Sequence, residues 1–224
     1  MTQQTYFARN HVRTVCSVFL AGVLTACGGG GGGSPTEGPV QPGPSETDEA
    51  VPRTVAGLRD GAEDLLNIWA PGGVTNYTAL ANVPSSGSAT YDGFIYGELS
   101  DESVVDSLVG RLSIDVTFAA DDFAFGGLAS DFVDQDDTAL NGTLTVSGGS
   151  FNRDGNPASD ATLRGIGLNG TLEDSDNTTW TVGIQLEGDF LGPSADAVGG
   201  EAIGRVTAGS TALDFDGGFV AAQE

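Results

Sequence analysis

From Ala89 onward, apolar and polar residues alternate in short runs broken by Gly, Asp, Asn or Ser. That period of two constrains this chain more than any other feature, because successive strand residues face opposite sides of a sheet. Leu112, Ile114, Val116 and Phe118 alternate with Arg111, Ser113, Asp115 and Thr117. Trp180, Val182, Ile184, Leu186 and Phe190 alternate with Thr181, Gln185, Glu187 and Asp189. Leu213, Phe215 and Phe219 alternate with Asp214, Asp216 and Gly218. Weaker runs cover 91–99, 123–132, 140–147, 162–172 and 198–206. About eight strands in roughly 130 residues is the spacing of an antiparallel sandwich or barrel. Turns are expected at 119–122, 173–177 and 208–210.

Glycine recurs inside these runs, at Gly93, Gly97, Gly110, Gly142, Gly165, Gly167, Gly170, Gly183, Gly188, Gly204 and Gly217. Glycine weakens a flat strand but eases sharp bends and close backbone approach at barrel corners. An even strand number permits up-and-down closure, which leaves no unpaired edge. The expected fold is therefore all-β: an eight-stranded antiparallel up-and-down β-barrel over 89–224. Its interior is wide enough for packed side chains or one small ligand. Leu140-Asn141-Gly142-Thr143-Leu144 recurs as Leu168-Asn169-Gly170-Thr171-Leu172, and the repeat is expected to mark equivalent strands of two similar hairpins.

Three segments precede the barrel. Residues 1–26 read as a lipoprotein signal peptide. Arg9 and Arg13 are followed by an apolar stretch of about 12 residues, Val15 to Ala26, where a bilayer span needs roughly 20. Leu24-Thr25-Ala26-Cys27 then reads as a lipobox, with cleavage before Cys27 and acylation of its thiol. Two or three acyl chains anchor stably where one is marginal. Residues 27–52 read as a lipidated, flexible, disordered linker, with glycines from Gly28 to Gly33 and then Pro, Glu and Ser. Residues 53–88 read as a short helical or irregular segment packing on the barrel. Leu58, Ala62, Leu65, Leu66 and Trp69 share one helical face, Gly57 and Gly61 weaken it, and Pro71-Gly72-Gly73 ends it.

Cleavage would remove His11, Met1 and Cys16, leaving a chain without histidine, methionine, lysine or free thiol. Eight basic and 31 acidic residues give a net charge of −23 before cleavage, so nucleic acid is not an expected partner. Triads lack a base, and Lys-dependent chemistry lacks its residue. No carboxylate pair stands out for glycoside hydrolysis, so no enzymatic activity is expected. Zinc and copper lack His and Cys ligands. Haem would have only Tyr77, Tyr91 or Tyr96. Calcium is the one metal the inventory leaves open, from Asp131, Asp134, Asp136 and Asp137 or from Asp174 and Asp176, but no EF-hand spacing supports it. No cofactor or metal site is expected. Recognition candidates expected at the surface are Tyr77, Tyr91, Tyr96, Phe151 and the loop 152–157; Phe94, Trp180 and Phe215 read as core.

Gly188-Asp189-Phe190-Leu191-Gly192-Pro193-Ser194-Ala195-Asp196-Ala197-Val198-Gly199-Gly200 resembles the Gly-x-Phe-Tyr-Gly-Pro-x-Ala-x-Glu-x-Gly-Gly signature of transferrin-binding-protein-B-like lipoproteins. Gly217-Gly218-Phe219-Val220-Ala221 resembles that family's closing strand, and 84–93 is similar to the approach to its barrel. Leu191 stands where an aromatic is common, and Ala197 where Glu is common. The resemblance implies a single eight-stranded barrel on an outer-membrane lipoprotein; it does not imply transferrin as ligand. Locally, Gly192-Pro193 is expected to force a turn after the preceding strand, and Gly199-Gly200 a tight return into the next.

The expected protein is a monomeric lipoprotein, anchored by Cys27 in the outer membrane of a Gram-negative bacterium and displayed in the periplasm or at the cell surface. Its barrel would serve as a non-catalytic binding module for an extracellular protein or a small nutrient ligand. The other expectation is a structural or envelope-assembly lipoprotein without a soluble ligand.

Overall fold

In the computed structural model, which describes residues 52–73, 75–101, 105–120, 123–157 and 161–223, the period-two runs are strands. They are β1 (Gly87–Ser100), β2 (Val105–Phe118), β3 (Ala124–Asp134), β4 (Ala139–Phe151), β5 (Leu163–Glu173), β6 (Thr179–Leu191), β7 (Ala197–Ala208) and β8 (Thr211–Gln223). Each pairs antiparallel with the next, and β8 returns to β1, from Tyr91 opposite Gln223 to Ser100 opposite Asp214. The result is a closed up-and-down barrel with no free edge among its strands. The signal peptide, Cys27, the linker up to residue 51 and the turn residues Asp121 and Asp122 lie outside the described residues.

The interior is one continuous cluster of buried side chains contributed by all eight strands. In β6, Trp180, Val182, Ile184 and Leu186 are buried and the residues between them are exposed down to Gln185. At eight strands, side chains alone can fill such a core. Glycines act where strands coil most tightly. Gly97 faces Gly217 across the β1–β8 seam. A Cβ on Gly217 would sit 2.0 Å from the Tyr96 carbonyl, and one on Gly97 would sit 2.4 Å from the Phe215 ring. The bare backbone thus admits both the close approach and the aromatic cover.

Gly199 and Gly200 depart from the expectation. They lie inside β7 rather than in a turn, and Gly200 pairs with Gly188 of β6. A Cβ on Gly200 would meet the Glu187 carbonyl at 2.1 Å, so the pair serves close strand approach. The Leu-Asn-Gly-Thr-Leu repeat also differs from its reading. Its copies lie on neighbouring strands, with Thr143 opposite Thr171, Leu144 opposite Gly170 and Gly142 opposite Leu172. Each leucine covers the glycine it faces.

The upstream segment wraps the barrel. Helix α1 (Val55–Trp69) starts at Thr54, whose Oγ1 accepts from the Gly57 amide at 3.0 Å. It ends at Ala70, just before Pro71. Leu58 and Ala62 bury against Phe94, Val109, Val133 and Val220, with Leu65 and Leu66 at the margin. These wall residues project outward from β1, β2, β3 and β8, each beside an inward partner: Phe94-Ile95, Leu108-Val109, Phe132-Val133 and Phe219-Val220. Four apolar doublets therefore mark the wall that is covered on both faces. Gly61 is part of this contact, since a Cβ there would lie 2.6 Å from the Phe94 ring. The start of the segment is pinned by Arg53, which donates to the carbonyls of Phe132 and Leu140 and pairs with Asp131 at 3.7 Å.

Candidate functional site

The barrel has two unlike ends. One carries the β3–β4, β5–β6 and β7–β8 connections. The other carries the start of β1, the β4–β5 and β6–β7 connections and the end of β8. This second end is capped by residues 76–84. The Thr78 amide donates to the Phe190 carbonyl, and the Gly192 amide to that of Asn76. The Thr78 hydroxyl donates to the Gly192 carbonyl at 2.7 Å, and Asn82 Nδ2 to that of Pro193. Val83 enters the core cluster from above. Beneath the cap, Phe118, Phe123, Phe125, Phe151, Phe190 and Tyr91 pack ring to ring, with Phe123 and Phe151 centroids 4.6 Å apart. Arg153 closes the lid. Its guanidinium lies 5.2 Å from the Phe123 centroid and 5.4 Å from that of Phe151. It also donates to the carbonyls of Val83 and Pro84.

The motif of 188–200 lies at this end. Gly192, at a φ of 82°, makes the turn, and a Cβ there would lie 2.7 Å from the Trp69 ring and 2.5 Å from Asp196 Oδ2. Tyr91 donates to the Ala195 carbonyl at 2.8 Å. Asp189 is buried and accepts from both the amide and the hydroxyl of Thr162, at 3.0 and 2.5 Å. Its carboxyl is pushed above the ordinary range by burial, against the opposing Thr162 bonds and the Arg164 charge.

Of the expected surface aromatics, Tyr77 is exposed at 39%, but Tyr91 is fully buried. Its ring points inward beside Phe190, and burial drives its phenol far up, so it is a structural donor rather than a contact. Period-two alternation places Tyr91 on the same face as Ile95 and Leu99; the expectation overlooked that parity. Phe151 packs against the core, and Arg153 belongs to the lid. Tyr96 lies half-buried at the margin of the helix contact. The three tyrosines therefore do not converge on one site.

The acidic turns are built on internal hydrogen bonds. Asp134 Oδ1 accepts from the amides of Asp136 and Thr138. Asp174 Oδ1 does the same with Asp176 and Thr178, and its Oδ2 accepts from Trp180 Nε1. The Asp174 carboxyl is held below the ordinary range, chiefly by the Thr178 amide. In both turns the fourth residue, Asp137 or Asn177, has positive φ. The shared pattern is Asp-x-Asp-Asp/Asn-Thr, a short repeat in the sequence that marks both turns. Asp131 stands apart, at a positive φ of 54° beside a register shift in β3, paired with Arg53 and Arg111. Among the described residues, no group of three or more His, Cys, Asp or Glu is placed to hold a metal.

Among the described residues, three surface hollows stand out. One, of about 340 Å³, lies on the β1–β3 wall between Asp92, Arg111, Ser113, Leu128 and Ser130. Its arginine is engaged with Asp131 and lies 5.8 Å from the Phe94 ring centroid. A second, of about 330 Å³, follows the end of α1 along Leu66, Asn67, Ala70 and Gly72. The third is a crevice of about 180 Å³ between α1 and the barrel, lined by Arg59, Ala62, Glu63, Leu66 and Tyr96. Sequence reading missed this last site, because its residues come from two elements that only the packed helix brings together. The outer wall of β4, β5 and β6 is polar, while Ile203 is exposed on β7. Thr143, Thr145, Asn169, Thr171, Thr181 and Gln185 are exposed on β4, β5 and β6, where a membrane-spanning barrel would present an apolar band.

Neither the family models nor the curated proteins searched gave a match to this chain.

Proposed function

We propose that this protein is an outer-membrane lipoprotein that displays a transferrin-binding-protein-like barrel as a non-catalytic binding module for a protein or small nutrient ligand. The observation that carries this reading is Leu24-Thr25-Ala26-Cys27 at the end of an apolar stretch, followed by the run Gly28–Gly33. A thiol acylated there and a flexible tether would hold the barrel near a membrane while leaving its surface free. The filled interior supports recognition on the outside of the barrel, at its loops, crevices and walls. A rigid closed scaffold favours that use, because sites on it need little ordering when a ligand arrives.

The test is made in the native host. Mass spectrometry should find Cys27 diacylated, and Cys27→Ala should release the protein from the membrane fraction. An unmodified Cys27 in native membranes overturns the anchoring. Immobilised protein should retain a component of growth medium or host fluid; retention of nothing, together with an envelope defect on deletion, replaces the binding module with a structural role.

A further inference from the structure

Downstream of Cys27 the chain holds six arginines and no lysine. Five of the arginines are engaged. Arg53 has two carbonyls and Asp131. Arg111 has Asp131, and Arg205 has Asp214. Arg153 has two carbonyls, and Arg164 has that of Ala161. Arg59 differs. Among the described residues it makes no hydrogen bond or ion pair; its Nε is buried without an acceptor, as is that of Arg153, whose other two nitrogens are engaged. Carboxylates are not scarce in a chain with 31 acidic residues, and Glu63 stands one helical turn away, yet the two do not pair. A buried donor left without a partner is unfavourable.

Arg59 lines the smallest of the three hollows. Arg59, Ala62, Glu63 and Leu66 follow the three- and four-residue spacing of one helix face, and Tyr96 of β1 forms the opposite side. The Tyr96 phenol extends over buried Gly218 of β8, where an added Cβ would sit 2.8 Å from its oxygen. Burial raises the Tyr96 phenol, with Arg59 opposing and Glu63 adding to the rise, so it remains a protonated donor. Two donors and one carboxylate thus face one small space with an apolar rim. Its volume of about 180 Å³ falls below the roughly 300–1,000 Å³ of sites for drug-sized ligands.

We propose that this crevice binds a free α-amino acid with an aliphatic side chain. The ligand carboxylate takes the Arg59 guanidinium and the Tyr96 hydroxyl, its ammonium takes Glu63, and its side chain lies on Ala62 and Leu66. This deepens the reading of the barrel as a binding module and rests on it. The ligand supplies the charged partners that Arg59 and Glu63 do not find in each other.

Calorimetric titration of the purified protein with L-leucine, L-valine and L-alanine tests the assignment, with N-acetyl-leucine and leucinamide as probes lacking one charge each. Saturable binding of at least one free amino acid is expected, weaker by about tenfold or more for the blocked probes, since a hydrogen bond to a charged group contributes that much. Arg59→Gln should weaken binding by about tenfold or more without lowering the melting temperature, because among the described residues Arg59 makes no hydrogen bond or ion pair. Glu63→Gln should weaken the free amino acid but leave N-acetyl-leucine unchanged. Absence of saturable binding at millimolar ligand overturns the proposal, as does binding that Arg59→Gln leaves intact. A ligand retained equally by wild type and Arg59→Gln overturns the crevice while preserving the binding module. Retention of nothing by either removes both.

Discussion

The two ends of this barrel are closed by opposite means. At the turn end, the amides of Thr138 and Thr178 donate to aspartates only 4 residues earlier. At the capped end, Tyr91, Asn82 and Thr78 bond to partners 104, 111 and 114 residues away. A local turn can form from its own residues. The cap can form only after the barrel has closed, because loop-closure entropy must be overcome before distant contacts reward it. The capped end is therefore where damage to the core should be felt most, and the turn end is where substitutions should be absorbed.

The sharpest way to break this contrast is Phe190→Ala. Phe190 is 2% exposed and touches the rings of Tyr91, Phe118, Phe123 and Phe151. Its removal should destabilise the protein by about 3–5 kcal/mol in denaturant unfolding, and a loss below about 1 kcal/mol would mean the aromatic cluster is loosely packed. Arg153→Met comes next. It keeps much of the stem but removes two bonds to carbonyls and the charge over two rings, for an expected loss of about 2–3 kcal/mol. Hydrogen exchange should quicken at Thr78 and Gly192 while Thr138 and Thr178 stay protected; uniform quickening would deny the cap any independence. Tyr91→Phe leaves the Ala195 carbonyl bare inside the cap and should lower stability by about 1–2 kcal/mol, measured by the same unfolding curves.

Acid separates the ends by sign. Asp174, held low by its turn bonds, lends stability above the ordinary carboxylate pKa and loses it as pH falls through the lowered value. Asp189, raised by burial, has the reverse effect: its contribution declines as pH rises from the ordinary value through the raised one. Asp174→Asn should flatten the loss of stability at the lowest pH, and Asp189→Asn should remove the opposing slope just above it. Curves that both run parallel to wild type would contradict the two environments. The smallest effect belongs to Thr138→Ala, which keeps the donated amide and should change stability by less than about 0.5 kcal/mol.

Much of the architecture was legible in the residues. Alternation located all eight strands, and the face made by Leu58, Ala62, Leu65 and Leu66 located α1 despite Gly57 and Gly61. Those glycines, read as weakness, make room for Pro52 and for the Phe94 ring. The helix contact could also have been read from the doublets Phe94-Ile95, Leu108-Val109, Phe132-Val133 and Phe219-Val220, which interrupt the period of two. Tyr91 was misjudged because residue type was weighed above its parity with Ile95 and Leu99. The Arg59–Tyr96 crevice had no comparable signal, since neither residue stands in a motif and their positions are joined only through packing.

The order of apolar and polar residues, by itself, determined the strands, the helix and the local turns, because each depends on neighbours within a few positions. Only the tertiary structure decided that residues 76–84 seal one end, that the interior is filled, and that Arg59 makes no hydrogen bond or ion pair among the described residues. Those features depend on how strands coil and where a helix comes to rest, and these distances are set by packing between segments far apart in the chain.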